Sequence, residues 1–359
     1  MDLAGVVLAS GAKSVAVVGT AKNVGKTVTM NYLARELSAR GMSVGLVSSG
    51  RDGETTDSFT GEPKPSVVPP EGSWVATAEG VLGESGGLLE IADVSERPGL
   101  LGRLVLGRVV EPSPLELVGP QSVRELAEVV AKMRSMGADI VLVDGALDRV
   151  AAANPAVTDA AILATGASAD QNLKAIAGKA AFVVWLWSRP RASEPRVRAL
   201  AREALARGFV AFLDEDASRR DGSYILRPTP YRTCLGLEEE VMSRAGRAAF
   251  VVVPGAVSAK LLMEAASWPE RDDFAVIASS PVNVFVAEEP GVPIYVDQEM
   301  RLLALTVNPV SYRGISYDPA EIASAVAAKV FEVSGRALPV FDVVSGEVSG
   351  KGAVGVAMG

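Results

Sequence analysis

Residues 19–27 read Gly-Thr-Ala-Lys-Asn-Val-Gly-Lys-Thr and stand between two segments of different period. Before them, Ser-Val-Ala-Val-Val-Gly after Lys13 is a short apolar run ending in a glycine-bounded loop, which reads as a buried strand. After them, apolar residues at Val28, Leu33, Leu37 and Ala39 follow a helical spacing that Gly41 closes. Ser43 to Val47 is the next strand. Two strands joined by a helix of this length form a right-handed βαβ unit, so a parallel sheet is expected.

The loop has the residue types that phosphate binding needs. Gly25 permits a turn whose backbone N–H groups point inward at phosphate oxygens. Lys26 can reach the terminal phosphates, and Thr27 offers a hydroxyl to Mg²⁺ from the first helical turn. The helix N-terminus adds partial positive charge. The expected nucleotide-binding set is Gly19, Thr20, Ala21, Lys22, Asn23, Val24, Gly25, Lys26, Thr27 and Val28. The spacing departs from the strict G-x-x-x-x-G-K form: Gly19 is one residue early, and Thr20 stands in the place of the first glycine.

Composition narrows the function classes. A net charge of −8 gives no basic footprint for nucleic acid or an anionic membrane. The chain has no histidine, which excludes Ser-His-Asp triads, Cys-His pairs and histidine-bound zinc. One cysteine, Cys234, forms no internal disulfide and is expected as a core residue in a reducing, cytoplasmic setting. The longest apolar run, Ala180 to Trp187, is too short to span a bilayer. The opening Met-Asp-Leu-Ala-Gly-Val-Val-Leu-Ala-Ser has a faint signal-peptide look, but Asp2 occupies the place of a basic segment, so secretion is not expected.

Further along, Gly50 to Gly72 is polar and rich in Gly and Pro, a long loop of the kind that moves or works. Trp74 to Thr77, Leu88 to Ala92, Asp139 to Val143, Ala160 to Ala164 and Ala181 to Trp187 are strand candidates, and Trp185 and Trp187 read as core. Ser122 and Glu125 form a capping box for a helix through Met136. In the second half, helices are expected at Val197 to Arg207, Ser258 to Ala266 and Pro319 to Val333, the last capped by Asp318. Strands are expected at Phe250 to Val253, Phe274 to Ile277, Val282 to Val286 and Leu302 to Val307. The fold class is α/β: a mostly parallel sheet with helices on both faces, on a P-loop NTPase core. The expected division is a nucleotide-binding domain over 1–190, a C-terminal α/β extension or second domain over 191–345, and a flexible tail over 346–359, with the seam near Ser188 to Pro195.

The loop resembles that of dethiobiotin synthetase and its relatives, G-T-x-x-x-V-G-K-T, with Gly19, Thr20, Val24, Gly25, Lys26 and Thr27 all matching. It is similar to the broad P-loop group, often called SIMIBI, that holds this synthetase, cobyrinic-acid amidases and MinD-like ATPases. The synthetase's Lys-Pro segment after the second strand has no counterpart in Ser48-Ser49-Gly50-Arg51-Asp52-Gly53-Glu54. The MinD-like signature lysine falls at residue 21, which is alanine. The strings GTAKNVGKT, SGRDGE, VDGALDR and LTVNP together resemble a bacterial P-loop family that accompanies adenosylcobalamin-dependent lysine and ornithine aminomutases as a proposed reactivase component.

That resemblance implies ATP and Mg²⁺ as cofactors. It implies slow ATP hydrolysis coupled to a protein partner, either the aminomutase or a second reactivase component, and it allows a homodimer. The alternative is an ATP-dependent small-molecule ligase or amidase-like enzyme. Asp144, ending the Ile-Val-Leu-Val run, is the expected Mg²⁺ carboxylate with Thr27. Asp52 follows the second strand, where relatives put a metal or water-positioning carboxylate, with Glu54 and Asp57 as competitors. Lys26, Asp52 and Asp144 form the expected catalytic set. Arg51, Asp148 and Arg149 are further candidates for the cleft. In related ATPases an asparagine at a late strand end meets the adenine edge and a nearby proline packs on the ring, which points to Asn308 and Pro309. Pro254-Gly255-Ala256 is a second strand-to-helix loop, expected on the same sheet edge.

Overall fold

The structure, a computed structural model, describes residues 1–52, 66–83, 88–99, 101–120, 122–146, 151–215, 223–269, 273–311 and 314–343. The chain opens with α1 (Leu3–Ser10), β1 (Ser14–Gly19), α2 (Lys26–Ala39), β2 (Val44–Ser48) and the short β3 (Arg51–Asp52). Next come β4 (Trp74–Ala78), α3 (Glu79–Leu82), β5 (Leu89–Gly99), β6 (Gly102–Val109) and β7 (Leu117–Val118). Then follow α4 (Val123–Ser135), β8 (Ile140–Ala146), β9 (Ala160–Gly166), α5 (Leu173–Trp187) and α6 (Pro195–Arg207). The middle holds β10 (Ala211–Glu215), β11 (Tyr224–Pro228), α7 (Glu238–Met242), β12 (Phe250–Val253), β13 (Val257–Ser258) and α8 (Ala259–Ala266). After β14 (Ala275–Ala278), a 3-10 turn at Pro281–Asn283, β15 (Val284–Phe285) and β16 (Ile294–Val296), the chain ends with β17 (Leu302–Asn308), α9 (Pro319–Ser334) and β18 (Val340–Asp342).

Two compact units result: Met1–Val183 with Arg301–Gly359, and Val184–Met300. The first carries a nine-stranded sheet in the order β18-β17-β9-β1-β8-β2-β4-β6-β5. Every pairing from β18 to β4 is parallel, and β6 and β5 extend the edge by antiparallel pairing. The second unit carries a five-stranded sheet in the order β11-β10-β12-β14-β16, antiparallel through β10 and parallel from β12 to β16. The stretch expected as one C-terminal part is therefore shared: 184–300 forms the second unit, while β17 and β18 pair in the first sheet beside β9. β17 is buried along most of its length, as an inner strand of a parallel sheet must be.

Helices cover both faces of the large sheet. On one face, Met30, Leu33 and Leu37 of α2 and Leu3 and Val7 of α1 pack against Val15 and Val17, Val44 and Leu46, and Ile140 and Leu142. On the other, Leu126, Val129, Val130 and Met133 of α4 pack against Val47, Val141 and Val143. Successive strand residues alternate between these faces, so both sides of the apolar runs are buried, at roughly 1.5–3 kcal/mol for each large side chain. α4 starts as its capping box requires: Glu125 N donates to Ser122 Oγ at 3.2 Å, and Ser122 Oγ donates to Glu125 Oε2 at 2.9 Å.

Two local expectations, the strands at Ala181 to Trp187 and at Val282 to Val286, need correction. The opening residues form α1, N-capped by Asp2, whose Oδ1 accepts from Gly5 N at 2.8 Å, and ended by Gly11 at φ 71°. The Arg40 guanidinium at the end of α2 bonds to Asp2 and holds its carboxyl below the usual range. The run Ala181 to Trp187 is the last part of α5 rather than a strand: a short, wholly apolar run has no period to tell the two apart. Both tryptophans are nonetheless buried, as expected. Val282 to Val286 splits into a 3-10 turn opened by Pro281 and the two-residue β15. Cys234 is buried, and burial pushes its thiol up to about 12, as suits a core residue. Residues 346–359, expected as a tail, lie outside the described residues. Among the described residues no helix is long and apolar enough to cross a membrane.

Candidate functional site

Parallel pairing from β18 to β4 turns the carboxyl ends of those strands to one edge, where ligands gather in open α/β sheets. That edge collects Gly19 from β1, Ser48 from β2, Asp144 from β8, Gly166 from β9 and Asn308 from β17. β1 lies in the middle, with β9 on one side and β8 on the other, so the loop after it opens between two strand ends.

The loop between β1 and α2 is built from two left-handed residues. Asn23 has φ 59° and is the only described non-glycine residue with positive φ; Gly25 has φ 96°. An asparagine tolerates this conformation, and glycine adopts it without strain. Gly25 is also the N-cap of α2 and brings no capping side chain, so the first amide donors of α2 point outward with no side-chain acceptor from the cap. Gly19 is required for a different reason. A Cβ there would stand 2.7 Å from Val24 Cγ2 and 2.9 Å from Lys26 Cγ, because the Lys26 stem folds back across the end of β1. Val24 is buried beneath the loop, while Ala21, Asn23, Gly25, Lys26, Thr27 and Val28 are half-buried and Lys22 is exposed.

Hydroxyls fix this loop to its neighbours. Thr20 N donates to Ala164 O at 2.9 Å, and Thr20 Oγ1 donates to Thr165 Oγ1 at 3.0 Å. Thr29 Oγ1 donates to Gly25 O at 3.0 Å and lies 2.9 Å from Thr306 Oγ1, a fully buried pair that ties the start of α2 to β17. Asn308 completes the wall. A Cβ on Gly25 would stand 3.2 Å from Asn308 Cβ, and one on Gly166 would overlap the Asn308 carbonyl. Asn308 Oδ1 accepts from Val310 N at 3.1 Å, an Asn-Pro turn that fixes the side chain beside the loop. Pro309 is buried, and its carbonyl accepts from Tyr317 N at 3.0 Å.

Asp144 is 1% exposed and sits in register with Val17 of β1 and Ser48 of β2. Ile140 and Leu142, earlier on the same strand, belong to the α2 face, and alternation puts Asp144 on that face too. The same argument from Val44 and Leu46 puts Ser48 there. Ser48 Oγ is buried with no hydrogen-bond partner among the described residues. A buried hydroxyl left unmet costs about 1–3 kcal/mol, and a metal-bound water or phosphate oxygen between Asp144 and the start of α2 would satisfy it.

The remaining candidates fall elsewhere. The backbone of Asp52 pairs with Leu117 on the β3–β7 ribbon; its side chain and that of Arg51 lie outside the described residues, as do Glu54, Asp57, Asp148 and Arg149. Most of the long loop expected at Gly50 to Gly72 is likewise outside them. Pro254, Gly255 and Ala256 follow β12, which belongs to the five-stranded sheet of the second unit and not to the edge that holds the Gly19 loop.

Sequence reasoning passed over Ser48 and the Thr29–Thr306 pair. A hydroxyl inside an otherwise apolar strand, as in Leu-Leu-Ala-Leu-Thr-Val-Asn, was the available signal. It also passed over Gly119, whose N donates to Gly50 O at 2.8 Å. A Cβ on Gly119 would overlap the carbonyl oxygen of Ser48. Gly119→Ala is therefore expected to destabilise the first unit by about 3 kcal/mol, at the upper end of overpacking costs, by forcing the end of β2 away. Urea unfolding of the variant checks this; a midpoint equal to that of the unchanged protein contradicts so close an approach. A scan against protein-family models finds no match to this chain, and neither does a search of curated proteins.

Proposed function

We propose that this edge binds Mg-ATP and hydrolyses it slowly, and that a protein partner reads the nucleotide state. One observation carries the reading: a loop with two left-handed residues runs from a central parallel strand into an uncapped helix, with a lysine at the first helical position and a buried carboxylate on the adjacent strand. These features support a P-loop NTPase reading in chemistry as well as in order. The outward amides at the start of α2 suit phosphate oxygens, and Lys26 supplies the charge that pairs with the terminal phosphates. Thr27 and Asp144 are the groups to hold Mg²⁺, and the unmet Ser48 hydroxyl beside Asp144 fits a hydrated ion there. Held there by Thr27 and Asp144, a magnesium ion would supply positive charge against the charge that grows on the leaving group. Asp52 is the further carboxylate for the metal or for orienting the attacking water. Asn308, packed beside Gly25, and Pro309 after it are suited to the base.

The partner follows from the resemblance of residues 19–27 and the later strings: an adenosylcobalamin-dependent aminomutase or a second reactivase component. The test is equilibrium binding of a fluorescent ATP analogue, with and without Mg²⁺, followed by phosphate release with and without the aminomutase. Saturable binding of one nucleotide per chain, and release that rises with the partner, is the expected result. No saturable binding at millimolar Mg-ATP overturns the reading.

A further inference from the structure

A cavity of about 900 Å³ opens on the α4 face of the nine-stranded sheet. Its deeper wall is apolar: Leu104 and Leu106 from β6 meet Val129 from α4. Gly50 and Gly119, beside the end of β2, also line it, whereas Met30 and Leu33 of α2 pack on the other face of the sheet. The β5–β6 hairpin forms one side, and the start of α4 forms the other. Its size is that of pockets that enclose a small molecule.

The rim is charged and unevenly so. Asp93, Glu96, Glu125 and Glu128 line it against Arg97 and Lys132. Lys132 is held by Asp93 at 3.2 Å, and Glu128 is held by Arg124, outside the cavity, at 2.9 Å. Setting those pairs aside leaves Glu96 and Glu125 against Arg97. Glu125 is kept in place by the Ser122 hydroxyl at 2.9 Å. An apolar interior under a rim with a surplus carboxylate selects a cationic amphiphile over an anionic one, because an anion would meet like charge at the mouth.

We propose that this cavity is a second ligand site, for a small molecule with an apolar body and one ammonium group. The site does not depend on the nucleotide reading, and its test contains no nucleotide. The probes are octylammonium and octanoate, titrated calorimetrically into the full chain. Octylammonium is expected to bind saturably, one per chain, and octanoate at least roughly tenfold more weakly, the effect of exchanging an attractive for a repulsive charge at a half-exposed rim. Leu104→Trp fills the apolar wall and is expected to weaken octylammonium by roughly tenfold or more. Glu96→Gln, on the exposed hairpin, is expected to weaken octylammonium severalfold and to leave octanoate unchanged or tighter. Thermal melts accompany each variant. If Leu104→Trp lowers the melting temperature, Glu96→Gln and the two-probe comparison decide. Equal binding of both probes, no saturable binding of either, or affinities untouched by both substitutions overturns the proposal.

Discussion

Lys26→Ala is expected to weaken Mg-ATP binding by about a hundredfold, since losing a hydrogen-bonded charge on phosphate costs roughly 3 kcal/mol and each 1.4 kcal/mol is tenfold. Turnover is expected to fall further, by about 10²–10³, because charge on the phosphate grows along the reaction. The fold should persist. Lys26 is the first residue of α2, half-buried, and alanine is the best helix former. The Lys26 stem also lies against Gly19, so its removal opens space and creates no clash. Circular dichroism and a thermal melt establish the fold, and binding of a fluorescent ATP analogue with a phosphate-release assay establishes the loss. A variant that binds and turns over ATP like the unchanged protein would show that the loop serves another purpose.

The parts of the fold legible in the sequence are those whose signal is local. β1, α2, β8 and α4 have clear periods and stops: Gly41 after α2, the Ser122–Glu125 box before α4, and Asp318-Pro319 before α9. The illegible parts depend on distant partners. Nothing in Leu302–Asn308 tells that it pairs with β9 rather than with strands of the second unit, since an inner parallel strand looks the same wherever it inserts. Of the β5–β6 hairpin only Leu88 to Ala92 is legible as a strand, because β5 is irregular beyond it. Its register shifts between Ile91 and Asp93 and again between Val94 and Pro98, so no clean alternation survives. The end of α5 escapes because its last turns, from Ala180 to Trp187, are nearly wholly buried and carry no polar face. The candidate site divides in the same way. Gly19 to Thr27 and Asp144 are readable, the first as a string and the second as a carboxylate closing an apolar strand. Ser48 and the Thr29–Thr306 pair gain their meaning only from register and packing across the sheet.

Asp144→Asn separates metal chemistry from nucleotide affinity. The substitution keeps size and shape in a position that is 1% exposed, so packing against β1 and β2 is retained. It removes one negative charge beside Ser48 on the α2 face of the sheet, where Asp144 is proposed to hold Mg²⁺ with Thr27. A carboxylate binds Mg²⁺ far better than a carboxamide, whereas the loop amides and Lys26, proposed to hold phosphate, are untouched. Mg²⁺-dependent hydrolysis is therefore expected to fall by about 10²–10³, comparable with the loss of one preorganised electrostatic contact. Binding of the nucleotide in the presence of EDTA is expected to change by less than about threefold, and to tighten if at all, because a like charge near the phosphates has gone. A titration of activity against Mg²⁺ adds a second readout: the half-saturating concentration should rise in the variant. The wild type and variant are compared in the same assays, with melts to establish that both are folded. Equal losses with Mg²⁺ and with EDTA, and an unshifted Mg²⁺ titration, would make Asp144 a buried turn residue whose removal merely loosens the ends of β8 and β2.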